Sequence, residues 1–347
     1  MIRIADLKKL VARKIRIYTI DINNKMNKNF LLLFKFKQMR KMYFLVALLC
    51  AILSISCTNS GLYIESSNVS NIENHSELLS QITSFNDSIL AAKKKTRAVV
   101  KSGAWKRAKI IAADCGGAYS GGRAGLWAGA LLGPDGAIAG GFLGGLIGGV
   151  CGSYVAWEST SPTTRATSLD PIDIELVKER TIKVYANILR DSNAVLDYVP
   201  KNINVQYPVI DENVTLMGAK HNLILSKLIN GDDISIDGVQ QLSEDQIKII
   251  NSKGFSESFN NAMNDICDNI RQGDSMSLAG EDISTKLMNM FYNILIKYPE
   301  GLDDIEYLIN KYIEAVKDSR EIEESDKELI YSGLSVAASS SEFWSEN

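Results

Sequence analysis

Few residues in this chain have the types and spacing that chemistry needs. Histidine occurs only twice in 347 residues, as His75 and His221, which leaves little material for a histidine-based general base or a zinc site. His221 shares one helical face with Met217, Ile224, Leu225 and Leu228, the setting of a core side chain, and His75 falls in a polar stretch. Asp233, Ser235, Asp237 and Glu244 place oxygens at positions 1, 3, 5 and 12 of one segment, with Gly238 at its bend, a spacing that suits calcium. Ile236 and Gln240 stand where such a loop takes small and aliphatic residues, and a helix–turn–helix capped by Asp237 or Ser243 uses the same side chains. The chain contains no phosphate loop, paired-cysteine metal site or nucleophile elbow. The expectation is therefore a protein without catalytic residues or a cofactor.

The remaining chemistry belongs to a cysteine. From Met39 the chain reads Met39-Arg40-Lys41-Met42, then an uncharged run from Tyr43 to Ile55, then Ser56-Cys57. A short basic start, about a dozen apolar residues and a small residue before the cut form a secretory signal, and the run is short for a membrane span. The ending Leu53-Ser54-Ile55-Ser56-Cys57 resembles the lipobox of bacterial lipoproteins. The resemblance implies a diacylated Cys57 thiol, loss of the preceding segment and retention at a membrane by lipid. It departs from the family pattern in placing leucine four residues before the cysteine and in carrying Ile55. Residues 1–57 are read as an upstream extension plus signal peptide, with translation starting at Met39 or Met42.

Charge separates this address from the body. Residues 1–57 hold twelve Lys and Arg against two Asp, which leaves 26 basic and 39 acidic residues for the remainder. An acidic body lacks the basic face that displaces counterions from nucleic acid, so no nucleic-acid partner is expected. Residues 58–92, rich in Ser and Asn, read as a disordered tether. The segment 93–112 then carries Lys93, Lys94, Lys95, Arg97, Lys101, Lys106, Arg107 and Lys109 around Trp105, with no acid among the first seventeen residues. Cations interleaved with Trp suit an anionic lipid surface, at about 1 kcal/mol per basic residue; a solvated helix face paired to the acidic body is the alternative.

Glycine supplies the most specific pattern. Gly117, Gly121, Gly125, Gly129 and Gly133 recur at intervals of four, and after Pro134-Asp135 the row restarts at Gly136, Gly140, Gly144, Gly148 and Gly152. A second row, Gly141, Gly145 and Gly149, lies beside it. Period four stacks these positions on one helix face. Each interior Gly costs about 0.8–1 kcal/mol relative to Ala, and close backbone contact of the small-xxx-small kind offsets that cost. The pattern resembles glycine-zipper segments of bacterial envelope proteins and pore-forming peptides. The expectation for 113–157 is an antiparallel hairpin inserted in a membrane or oligomerised through its glycines, with Arg123 facing a partner, water or a pore; a glycine-packed hairpin inside a soluble domain is the alternative. Cys115 and Cys151 flank its open end, as two buried thiols or a disulfide.

Residues 158–170 read as a linker and 171–347 as an acidic helical domain. Ile305, Leu308, Ile309, Tyr312, Ile313 and Val316 form an amphipathic stripe, and Leu287, Met290, Phe291, Ile294 and Leu295 repeat it. Segments near 172–198, 211–230, 241–252, 257–271 and 326–340 are helical in pattern too. Here the Asp233–Glu244 segment is similar to an EF-hand loop, which implies calcium ligation by those side chains. The fold class is all-α: a signal and lipid anchor, a glycine-zipper helical hairpin, then a helical bundle. The function expected is that of a non-enzymatic lipoprotein at the outer membrane or periplasmic side of a Gram-negative envelope, meeting membrane lipid and a protein partner. The second expectation is an exported bacteriocin-like or toxin-like pore former.

Overall fold

The computed structural model describes residues 76–96, 102–160, 173–188, 193–230, 242–272, 277–298 and 301–346. All regular structure among them is helical: α1 (Glu77–Thr96), α2 (Ser102–Ala130), α3 (Pro134–Thr160), α4 (Ile174–Ile188), α5 (Asn193–Leu196), α6 (Glu212–Thr215), α7 (Met217–Asn230), α8 (Glu244–Ile250), α9 (Lys253–Gln272), α10 (Ile283–Lys297), α11 (Leu302–Asp318) and α12 (Glu324–Glu346). The signal segment and Cys57 lie outside the described residues.

The glycines dictate the centre. A Cβ built on Gly117, Gly121, Gly125 or Gly129 would overlap the carbonyl oxygen of Gly148, Gly144, Gly140 or Gly136, and the reverse overlap holds for each partner. Gly152 meets the Ala113 carbonyl in the same way. Each pair of residue numbers sums to 265, so α2 and α3 run antiparallel in one register with backbone against backbone. No side chain larger than hydrogen fits at the four glycine–glycine pairs of that seam. Gly133 departs from the role expected for it. It lies between the helices at φ +100° with open space around its Cα, so it ends α2 instead of packing, and Pro134 opens α3.

The flanks of the pair are covered by protein. Helix α3 is the one described helix long and apolar enough to cross a membrane, over Pro134–Trp157, and 78% of its most apolar stretch is buried in the fold. Helix α12 packs along α2, α9 lies against both hairpin helices, and α7 and α4 pack on α3. The second glycine row receives side chains: a Cβ at Gly141 would stand 3.5 Å from Leu329 of α12, one at Gly145 3.4 Å from Met217 and one at Gly149 3.1 Å from His221 of α7. Phe255, Phe259, Met263 and Ile266 bury the apolar face of α9. The hairpin therefore does not stand apart from a separate C-terminal domain; residues from Glu73 onward form one unit. Both glycine rows are occupied within the chain.

Two other boundaries differ from those expected. The tether expected over 58–92 ends in α1, where Leu78, Ile82 and Ile89 are buried and Phe85 is half-buried, a helical stripe among serines and asparagines. The Asn86 amide donates to the Tyr312 hydroxyl at 2.9 Å, and the Leu78 N–H donates to Glu321 Oε1 at 2.9 Å. The basic segment 93–112 is divided between the end of α1 and the start of α2, and α3 runs to Thr160, into the expected linker. The stretch 199–210, without helix, is held by side chains: Asn204 N–H donates to Glu306 and Gln206 N–H to Asn310, at 2.8 and 2.9 Å. Those acceptors take the place of a neighbouring strand.

Candidate functional site

The first place where the structure concentrates unusual groups is the hairpin's closed end. Trp127 is 69% exposed, Leu131 86%, Leu132 42% and Ile138 59%, all within the last turn of α2, the Gly133 turn and the first turns of α3. Asp135, in the first turn of α3, is exposed beside them, and Asp265 lines the same groove as Trp127. These four side chains are apolar and uncovered in a helix pair whose other described large apolar side chains are buried or half-buried. Isolated exposed apolar residues are ordinary, whereas a contiguous cluster marks a contact surface.

Arg123, expected to face a partner, water or a pore, instead meets α10. Its guanidinium pairs with Asp282 at 2.7 Å and also donates to Thr285 Oγ1. Asp282 is the N-cap of α10, accepting from the Thr285 N–H at 2.9 Å and the Ser284 hydroxyl at 2.6 Å. Burial works to raise the Asp282 carboxyl, but hydrogen bonds from Ser284, Thr285 and Arg123 outweigh it and hold the group well below the usual carboxylate range. Tyr119 completes the cluster, its hydroxyl 3.1 Å from Thr285 Oγ1.

The second concentration lies at the hairpin's open end and is polar. Asp114 of α2, Ser153 of α3 and His221 and Asn222 of α7 are all buried. The Asn222 amide nitrogen donates to the Ser339 carbonyl at 2.8 Å, which turns its oxygen towards His221. His221 Nδ1, 2.9 Å from that oxygen, must therefore carry the proton, so Nε2 accepts from the Ser153 hydroxyl at 2.8 Å. Burial pushes the Asp114 carboxyl up to about 7 against weaker opposing hydrogen bonds that include the Trp344 indole, and burial pushes His221 down to about 4. The Trp344 indole N–H donates to Asp114 Oδ2 at 3.2 Å, while Oδ1 and the nearby Ser340 hydroxyl lack well-formed partners.

This Ser–His–Asp set has the composition of a hydrolytic triad but neither its connectivity nor its access. The carboxyl lies on the serine side, His221 Nδ1 bonds to an amide oxygen, and the cluster is closed to solvent. Sequence reading places His221 in the core and misses its partners, which lie 68 and 107 positions upstream, as Ser153 and Asp114. Asp114 is the one acid in α2 and stands in the apolar run ahead of its glycine row, which is the signal that points to them.

The other expected site residues distribute as follows. Lys93, Lys94 and Lys95 fall in the last turns of α1, Arg97 and Lys101 lie outside the described residues, and Trp105 falls in the first turn of α2. Lys106 is half-buried and Arg107 exposed, but Lys109 is buried at 8% exposure, which removes it from any lipid-facing surface because α2 turns that position into the bundle. Asp233, Ser235, Asp237 and Gly238 lie outside the described residues, and Glu244 opens α8, where Ser243 and Gln246 form a reciprocal capping box. Among the described residues no three metal-ligating side chains converge. Cys115 and Cys151 are buried thiols outside any disulfide, so the open end of the hairpin carries none, and Cys267 is buried as well. Burial raises the Cys115 and Cys151 thiols above their ordinary range.

No family model, curated protein or solved structure matches this chain.

Proposed function

We propose that this chain is a non-enzymatic protein of the bacterial cell envelope, tethered by lipid at Cys57, whose helical domain touches a lipid surface through the tip of its glycine hairpin. The observation that carries the reading is the joint exposure of Trp127, Leu131, Leu132 and Ile138 at the end of an otherwise buried apolar hairpin. Fully burying a large aliphatic or aromatic side chain is worth about 1.5–3 kcal/mol. Four such groups reaching the acyl boundary supply several kcal/mol, enough for reversible docking when a lipid anchor already holds the domain nearby. The backbone seam supports the same reading, because a hairpin locked glycine to glycine presents its tip rigidly. The basic residues Lys106 and Arg107 at the opposite end of α2 are then free to meet the acidic surfaces of a protein partner.

Vesicle binding tests this. The exported chain should sediment with phosphatidylglycerol–phosphatidylethanolamine vesicles, and bilayer-embedded bromine should quench Trp127. Leu131→Asp with Ile138→Asp should abolish both effects while leaving the melting temperature unchanged. Palmitate labelling that is lost in Cys57→Ala supports the anchor. Release of trapped dye by the wild-type chain, lost in the tip variant, would replace this reading with the pore former, and tip-dependent dimerisation without vesicle binding would replace it with a self-association surface.

A further inference from the structure

We infer that the cavity beside the open end of the hairpin is a binding site for a small organic ammonium cation. The cavity holds about 400 Å³, within the range of small-molecule pockets. Four aromatic side chains line it: Trp157 at the end of α3, Tyr198 after α5, and Phe343 and Trp344 at the end of α12. Two acids, Asp197 and Glu342, join them, and the described lining contains no Lys, Arg or His.

That composition selects a class of ligand. A phosphate or carboxylate would face two acids with no cation to receive it. An ammonium head suits both features, since carboxylates offset its charge and indole or phenol faces attract it through their quadrupoles. The two acids play different parts. Glu342 is fixed by backbone, accepting the N–H groups of Lys201 and Asn202 at 2.8–3.0 Å. Asp197 is exposed at the mouth of the cavity, where its carboxylate can meet a ligand. Asn222, Ser226 and Asn230 add hydrogen-bonding groups on the α7 wall for the remainder of the molecule.

The site also touches the buried polar groups at the open end of the hairpin. Trp344 lines the cavity and donates to Asp114, and Asn222 lines it and accepts from His221. A bound cation therefore rests on side chains that join both hairpin helices to α7 and α12. This inference is independent of the tip and of its membrane contact.

The test is a choline titration of the full exported chain, read by intrinsic tryptophan fluorescence and by calorimetry. Choline should bind saturably, and 3,3-dimethyl-1-butanol, its neutral isostere, should bind about tenfold more weakly or not at all. Asp197→Asn should weaken choline about tenfold with an unchanged melting temperature, since the side chain is exposed, and Trp157→Leu should weaken it further. Equal affinity for choline and the isostere would overturn the proposal, as would unchanged choline binding by Asp197→Asn, no saturable signal, or preference for a neutral disaccharide. Phosphatidylcholine vesicles that displace bound choline would support the site with a lipid headgroup as the source of the cation. Choline binding indifferent to those vesicles would support it with a free amine as the source.

Discussion

Asp114 and His221, both buried at the open end of the hairpin, should tilt this protein's stability in opposite directions over one pH range. Asp114 is raised from 3.8 to about 7 by burial, so the folded chain holds a proton there that the unfolded chain has lost. Its contribution to stability is present below pH 3.8 and is lost as pH rises through 7. His221 is lowered from 6.5 to about 4, again by burial, so the unfolded chain binds a proton that the folded chain refuses. Its contribution is present above pH 6.5 and is lost as pH falls through 4. Each pH unit of such linkage is worth 1.36 kcal/mol. Between pH 4 and 6.5 these two contributions run in opposite directions and offset one another in the wild-type chain. Asp114→Asn keeps an acceptor for Trp344 but removes the acid, so its stability should rise by about 3 kcal/mol from pH 4 to 6.5 relative to wild type. His221→Gln should show the reverse, a fall of about 3–4 kcal/mol from pH 4 to 7. Urea unfolding followed by tryptophan fluorescence at half-unit pH steps measures both. Asp326 and Glu328, also raised by burial, are common to all three proteins and cancel in the differences. Two variant profiles parallel to the wild type would refute the reasoning, because neither group would then differ in proton binding between folded and unfolded chains.

The glycine seam gives a contrast within one residue type: Gly144→Ala should cost 3 kcal/mol or more on the order of a core overpacking defect, since its Cβ meets the Gly121 carbonyl, whereas Gly254→Ala in α9, with open space around it, should stabilise by about 0.5–1 kcal/mol in thermal unfolding. Asp282→Ala removes the cap of α10 together with the partner of Arg123 and should cost about 1–2 kcal/mol, of which high salt should remove only a small part because the backbone cap is not an ion pair. Cys115, Cys151 and Cys267 should resist alkylation in the native chain and react within minutes in urea, read by peptide mass spectrometry; prompt native labelling of any of them would contradict their burial.

The glycine period announces helices that approach to backbone contact, because a repeat of four stacks hydrogen side chains on one face, and Pro134-Asp135 announces a break between them, which the structure places at Gly133 with Pro134 opening α3. The stripes of α10 and α11 are legible for the same reason. α1 is not, since its buried residues Leu78, Ile82 and Ile89 are spaced among polar residues whose composition matches a linker. What covers the outer faces of α2 and α3 cannot be read from those faces. Leu143, Leu146, Ile147 and Val150 satisfy acyl chains and protein side chains equally, as both are dry and apolar, and only the assembled bundle supplies α7, α9 and α12 as the cover. Position along the chain likewise says nothing of Asp114, Ser153 and His221 meeting, or of Arg123 finding Asp282. The sequence by itself determined an all-helical chain with a glycine-seamed pair, through periodicity, a local property of neighbouring residues. The tertiary structure decided which apolar surface is core and which is left at the tip, and which buried polar groups become partners, because burial and pairing depend on contacts between segments far apart in the chain.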